Sequence, residues 1–137
     1  MATSPDCNVR PVVLLVEDDF SLLDLFRRTL ERAGFEVITA THGVTALSLF
    51  GENAIALVVT DILLPHMDGF TLIRKLRDES PDVPIIAISG MDDSQNFRDS
   101  ASKCGANASL AKPLSRQHLV DLARSMVGSG LQTASAP

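Results

Sequence analysis

Five short runs of aliphatic and β-branched residues, each followed by a stretch of helical periodicity, constrain this chain more than any other feature of it. The runs occupy positions 12–16 (VVLLV), 36–40 (EVITA), 56–60 (ALVVT), 83–89 (VPIIAIS) and 108–112 (ASLAK). Runs of this length with so few polar interruptions read as strands buried on both faces, which is the pattern of a parallel sheet. After the first run, Leu22, Leu25, Phe26, Thr29, Leu30 and Ala33 recur at helical spacing. Arg27, Arg28, Glu31 and Arg32 lie opposite, and Gly34 is a stop signal. Further helices are expected over 43–52, 70–77 and 94–103, and a fifth through Leu119, Leu122, Ala123, Met126 and Val127.

Five βα units with right-handed crossovers predict an α/β protein. Its expected architecture is a flavodoxin-like, doubly wound, five-stranded parallel sheet in the order 2-1-3-4-5 with five helices. At 137 residues the chain makes one domain. The expected boundaries are a flexible leader over 1–11, which carries Pro5 and Pro11, a domain over 12–127 and a disordered tail over 128–137.

A net charge of −5 leaves no basic stripe to neutralise phosphates, so no direct contact with nucleic acid is expected. No apolar stretch has the length of a membrane span and the first ten residues do not read as a signal peptide, so the expectation is a cytoplasmic protein with no membrane contact. Cys7 and Cys104 lack metal-ligand spacing and suit a reducing compartment. His42, His66 and His118 fall in three separate segments and form no metal set.

Parallel strands deliver whatever follows their carboxyl ends to one edge of the sheet, where open α/β sheets bind ligands. The first strand ends in Glu17, Asp18 and Asp19, and the third in Asp61. Carboxylates crowded there repel one another unless they hold a hard cation such as Mg2+, for which Mn2+ could substitute. Asp19 is better placed to cap the first helix. Ser89 and Lys112 end the fourth and fifth runs and reach the same edge. Pro65 and Gly69 read as turn formers shaping the loop after Asp61.

The set Glu17, Asp18, Asp61, Ser89 and Lys112-Pro113 resembles, in order and spacing, the active site of response-regulator receiver domains of bacterial two-component signalling. The likeness covers about 12–127. It implies that Asp61 is a phosphoacceptor nucleophile and that Lys112 and Ser89 pair with the phosphoryl group. It also implies that Asp18 binds Mg2+ directly, Glu17 through water and Leu63 by its backbone carbonyl, and that Lys112-Pro113 is cis. The implied partners are a histidine kinase or a histidine phosphotransfer protein upstream and a protein target downstream, with the chain a monomer or weak dimer. Such a chain is no enzyme beyond its own phosphorylation and dephosphorylation. Alternatives are a phosphorelay intermediate, a receiver acting with a hybrid histidine kinase, and a non-phosphorylated interaction module. A haloacid-dehalogenase-type phosphohydrolase would need an aspartate at position 63, where Leu63 stands.

Three positions depart from the receiver pattern. Ser109 occupies the place of a usual aromatic switch residue, and the chain has no tyrosine, so the loop 90–94 or the fourth helix is expected to carry the output. Leu63 and Met91 put apolar side chains beside the site, which predicts a long-lived acyl phosphate. No output domain follows the fifth helix in this sequence, so action by protein contact is expected, with Phe20 and Leu23 widening the apolar arc of the first helix as a docking surface.

Overall fold

The computed structural model describes residues 10–89 and 95–135, without the side chains of 95–96 and 128–135. The loop expected to carry the output, with Met91 in it, lies outside the described residues, as do Cys7 and most of the leader. The chain alternates strictly: β1 (Val12–Val16), α1 (Phe20–Arg32), β2 (Glu36–Ala40), α2 (Gly43–Glu52), β3 (Leu57–Asp61), α3 (Gly69–Glu79), β4 (Ile85–Ser89), α4 (Gln95–Cys104), β5 (Ala108–Ala111) and α5 (Arg116–Ser135). The five strands form one parallel sheet in the order β2-β1-β3-β4-β5, as the alternation predicts.

The period of two along each strand divides the apolar runs between two cores. Val13 and Leu15 of β1, Leu57 and Val59 of β3 and Ile86 and Ile88 of β4 pack beneath α1 and α5, against Phe26, Leu30, Leu119 and Ala123. Their neighbours Leu14, Val16, Val58, Ile85 and Ala87 face the other way, against Ala46, Leu72, Ile73, Leu76 and Phe97 of α2, α3 and α4. This division explains why the strands read as uninterrupted apolar runs. Each buried aliphatic side chain contributes roughly 1.5–3 kcal/mol against an exposed one.

Asp19 caps α1, accepting from Ser21 N at 2.9 Å and Leu22 N at 3.2 Å. Gly34 ends the helix in the left-handed region at φ 104°, as its position after the last periodic residue predicts. Arg77 fastens the far end of the sheet. Its guanidinium donates to the carbonyls of Ser80, Pro81, Val83 and Gly105 and to Asn107 Oδ1, joining α3 to the turns before β4 and β5.

The backbone of α5 is helical to Ser135, through residues that the sequence assigns to a disordered tail from 128 onward. Gly128 and Gly130 read as breakers, but a helix interior tolerates Gly at roughly 1 kcal/mol each, and Leu131, Gln132 and Ala134 favour continuation.

Candidate phosphoacceptor site

Strand register builds the site. Val16 is paired with Thr60, Asp61 with Ile88 and Ser89 with Ala111, so the residues ending β1, β3, β4 and β5 come to one edge. Backbone bonds continue past the ladders: Glu17 N donates to Ala40 O at 3.1 Å, Ile62 N to Ile88 O at 2.9 Å and Lys112 N to Ser89 O at 2.7 Å. The side chains at this edge therefore stand on extended strand backbone rather than on loops.

Glu17, Asp61 and Ser89 are buried, at 2%, 4% and 5% exposure, whereas Asp18 is exposed. Carboxylate oxygens of Glu17, Asp18 and Asp61 lie within 4.8 Å of one another. Lys112 Nζ stands among them, donating to Asp61 Oδ2 at 2.8 Å and lying 2.8 Å from Glu17 Oε1. The other oxygen of Asp61 accepts from Leu63 N at 3.0 Å. Glu17 Oε2 accepts from Asp19 N at 3.2 Å, but Oε1, although close to the lysine charge, lacks a well-directed hydrogen bond.

The electrostatics follow from burial. Desolvation is the main cause that pushes the Glu17 carboxyl up to about 7. Lys112 and the Asp19 amide oppose it, and the Asp61 charge adds to it. Burial pulls the Lys112 ammonium down, but its contacts with Asp61 and Glu17 outweigh that, so it stays protonated well beyond neutral pH. A buried carboxylate oxygen without a directed donor, beside two further carboxylates, is the donor chemistry a hard divalent cation takes. The residues present thus fit Mg2+, with Asp18 on the open side toward solvent.

Glu17, Asp18 and Asp61 share the pocket, Lys112 bridges two of them, Ser89 is buried at the adjoining strand end, and Lys112-Pro113 is cis. Leu63 uses its N–H to hold Asp61 and exposes its side chain at 56%. Phe20 is 75% exposed at the start of α1, whereas Leu23 is buried in the core and cannot widen a surface arc. Around Ser109 a recess of about 240 Å³ opens between α4 and α5, bounded by Phe97, Leu110, Pro113, Leu114 and His118.

Gly69 does more than form a turn. A Cβ at this position would stand 2.5 Å from both Asp61 O and Ile62 Cα, so the first turn of α3 can lie against the end of β3 only without one. Its N–H also donates to Ile62 O at 2.7 Å. Asp68 caps the same helix by accepting from Thr71 N at 2.9 Å. That cap was legible in the sequence as an Asp directly before a helical run. His66 adopts φ 69° and sets its ring edgewise to that of His42, 6.4 Å between centroids, tying the loop after β3 to the start of α2.

A doubly wound parallel sheet here gathers a strand-end aspartate, an acidic pair and a lysine at its carboxyl edge, where open α/β sheets bind ligands. The family model "Response regulator receiver domain" matches residues 13–124, and the chain belongs to that family. Among known relatives, the "Response regulator MprA" of Mycobacterium sp. (strain KMS) is 33% identical over 115 residues, 84% of this chain and 50% of that protein. The "C4-dicarboxylate transport transcriptional regulatory protein DctD" of Rhizobium meliloti (strain 1021) is 36% identical over 83% of this chain and 25% of its own length. This chain thus spans about half, or less, of such relatives. Among solved structures, a CheY-like receiver domain protein of Methanospirillum hungatei JF-1 superposes with a TM-score of 0.85 at 26% identity, covering 91% of this chain and 99% of that one.

Proposed function

We propose that this chain accepts a phosphoryl group on Asp61 from a phosphohistidine of a histidine kinase or histidine phosphotransfer protein, and signals by contact with a downstream protein. The observation that carries the reading is the setting of Asp61. It is buried at a strand end, with one oxygen fixed by Leu63 N and the other by Lys112 Nζ, inside a cluster of two further carboxylates.

In the transfer a carboxylate oxygen of Asp61 attacks phosphorus, a P–O bond forms, and the P–N bond to the donor imidazole breaks with its electron pair returning to nitrogen. Lys112 turns from the carboxylate toward the added negative charge as a mobile point charge, and the Ser89 hydroxyl donates to a phosphoryl oxygen. Glu17 and Asp18, with the carbonyl of Leu63, would hold Mg2+, which supplies charge neutralisation for the phosphoryl oxygens. Water attacking the same phosphorus breaks the P–O bond to Asp61, which returns the carboxylate and releases inorganic phosphate, so turnover is limited to the chain's own phosphorylation and dephosphorylation. A relay role beside a hybrid kinase uses the same chemistry with a second histidine as acceptor.

A cytoplasmic location suits this chemistry, and among the described residues no helix is long and apolar enough to cross a membrane. Several relatives are named as transcriptional regulators, and they extend well beyond the region they share with this chain. The net charge of −5 favours protein contact over direct nucleic-acid contact for the part in hand.

The test is incubation with Mg2+ and acetyl phosphate, followed by intact-mass measurement, with Asp61→Asn alongside. A single phosphoryl adduct present in the parent and absent from the variant is expected. An adduct that survives in Asp61→Asn, or none in either protein, would leave the interaction-module reading.

A further inference from the structure

The arginines of α1 fall into two groups. Arg27 and Arg28 pair with Asp24 and Glu31 on their own helix. Arg32, one turn on, makes no ion pair among the described residues, and Arg116 at the start of α5 makes none either. Both line one open groove of about 680 Å³ between the end of α1 and the first turns of α5, with Arg124 as a third guanidinium. No carboxylate lines it.

This concentration of positive charge runs against the character of a chain with net charge −5. Three guanidiniums around one groove repel one another, and nothing lining it offsets them. Arg124 is fixed across the groove by donating to Ala33 O at 3.3 Å, which leaves most of its N–H groups for another acceptor. Between the arginines, Val120 and Ala33 supply a small apolar floor.

The lining selects among anions. No aromatic ring borders the groove, so no base can stack there, and the surrounding negative charge opposes a duplex. Guanidinium forks take carboxylates bidentately, and an apolar floor between them takes a small aliphatic side chain. We propose that the α1–α5 groove is a docking site for an acidic segment of a partner protein, with carboxylates flanking an aliphatic residue. The inference needs no phosphorylation of Asp61, and its test is separate from the one above.

The probe is a helix-forming peptide of about fifteen residues with glutamates flanking leucines, titrated into the ¹⁵N-labelled full chain. Controls are the same peptide with Gln for Glu, inorganic pyrophosphate and a short DNA duplex. The expected result is amide shifts at Thr29, Arg32, Arg116, Val120 and Arg124 with the acidic peptide, weakening as salt is raised. The double charge reversal Arg32→Glu and Arg116→Glu should weaken binding at least about tenfold while leaving the amide spectrum of the sheet and the acetyl phosphate adduct unchanged. The pair Arg32→Lys and Arg116→Lys should bind at an intermediate level. Absence of groove shifts at millimolar peptide, shifts that survive the charge reversal, or tighter binding of pyrophosphate or duplex than of the peptide would each overturn the proposal.

Discussion

The Lys112 ammonium lies 2.8 Å from Asp61 Oδ2, joining the ends of β5 and β3 across the intervening β4. It stands equally close to Glu17 Oε1, so one cation serves two carboxylates that are almost wholly buried. Taking the lysine away leaves both without compensation, and an uncompensated buried charge is costly. Lys112→Ala is therefore expected to lose about 3 kcal/mol at neutral pH in metal-free buffer. Mg2+ should recover a larger part of stability in the variant than in the parent. Urea denaturation of both proteins with and without Mg2+ checks this, and equal Mg2+ effects in the two would contradict it.

The tight approach of α3 to the end of β3 gives a second expectation. A methyl group at position 69 would meet backbone atoms of Asp61 and Ile62 at 2.5 Å, and backbone at a strand end cannot swing aside as a side chain can. Gly69→Ala should cost about 2 kcal/mol by overpacking and should slow acetyl phosphate labelling by displacing Asp61. Full-rate labelling in the variant would show that α3 yields without moving the carboxylate.

Much of this was legible in the sequence because it depends on local pattern. The two-residue alternation that sends Leu14 and Leu15 to opposite cores makes the runs continuous, and continuous runs with helices between them leave few topologies. Topology alone then carries Glu17, Asp61, Ser89 and Lys112 to one edge. What escaped depends on contacts between distant parts of the chain. The need for glycine at 69 comes from the backbone of β3, and Arg77 reaches Gly105 and Asn107, 28 and 30 residues away. Leu23 shows the limit of face-counting on a helix: a residue at the margin of an apolar arc turned out to belong to the core.

Asp19 separates a helix cap from a metal ligand. Its side chain accepts two amides of the first turn of α1 and is absent from the carboxylate cluster. Asp19→Ala is expected to lose about 1 kcal/mol of stability with unchanged Mg2+ affinity, whereas Asp18→Ala should do the reverse. Thermal unfolding and Mg2+ titration of both variants distinguish the roles, and a loss of Mg2+ affinity in Asp19→Ala would move it into the metal site.

The exposed Leu63 side chain bears on phosphoryl lifetime. It stands two residues after Asp61, 56% exposed, while its own amide grips Asp61 Oδ1. An apolar group there disfavours an ordered water in line for attack on phosphorus. Leu63→Asn keeps the amide and adds a polar side chain, so the acyl phosphate should hydrolyse severalfold faster with no change in fold stability. A phosphate-release time course after removal of acetyl phosphate measures it, and an unchanged half-life would assign the side chain to contact with a partner instead.

Glu17 gives the pH dependence its sign. Its carboxyl is held up near 7 by burial, against an ordinary value of 4.5, so between those values the folded chain binds a proton that the unfolded chain has released. The contribution is present in full below about 4.5 and is lost as pH rises through about 7, so the metal-free protein should become less stable across that window. Glu17→Gln, which cannot ionise, should flatten this part of the profile. Mg2+ competes with the same proton, so its affinity should rise with pH up to about 7 and the stabilisation it gives should grow as the intrinsic contribution fades. Denaturant midpoints in chelator and in Mg2+ at a series of pH values test both halves. A metal-free midpoint that falls from pH 5 to 7 as steeply in Glu17→Gln as in the parent would place the titrating group elsewhere.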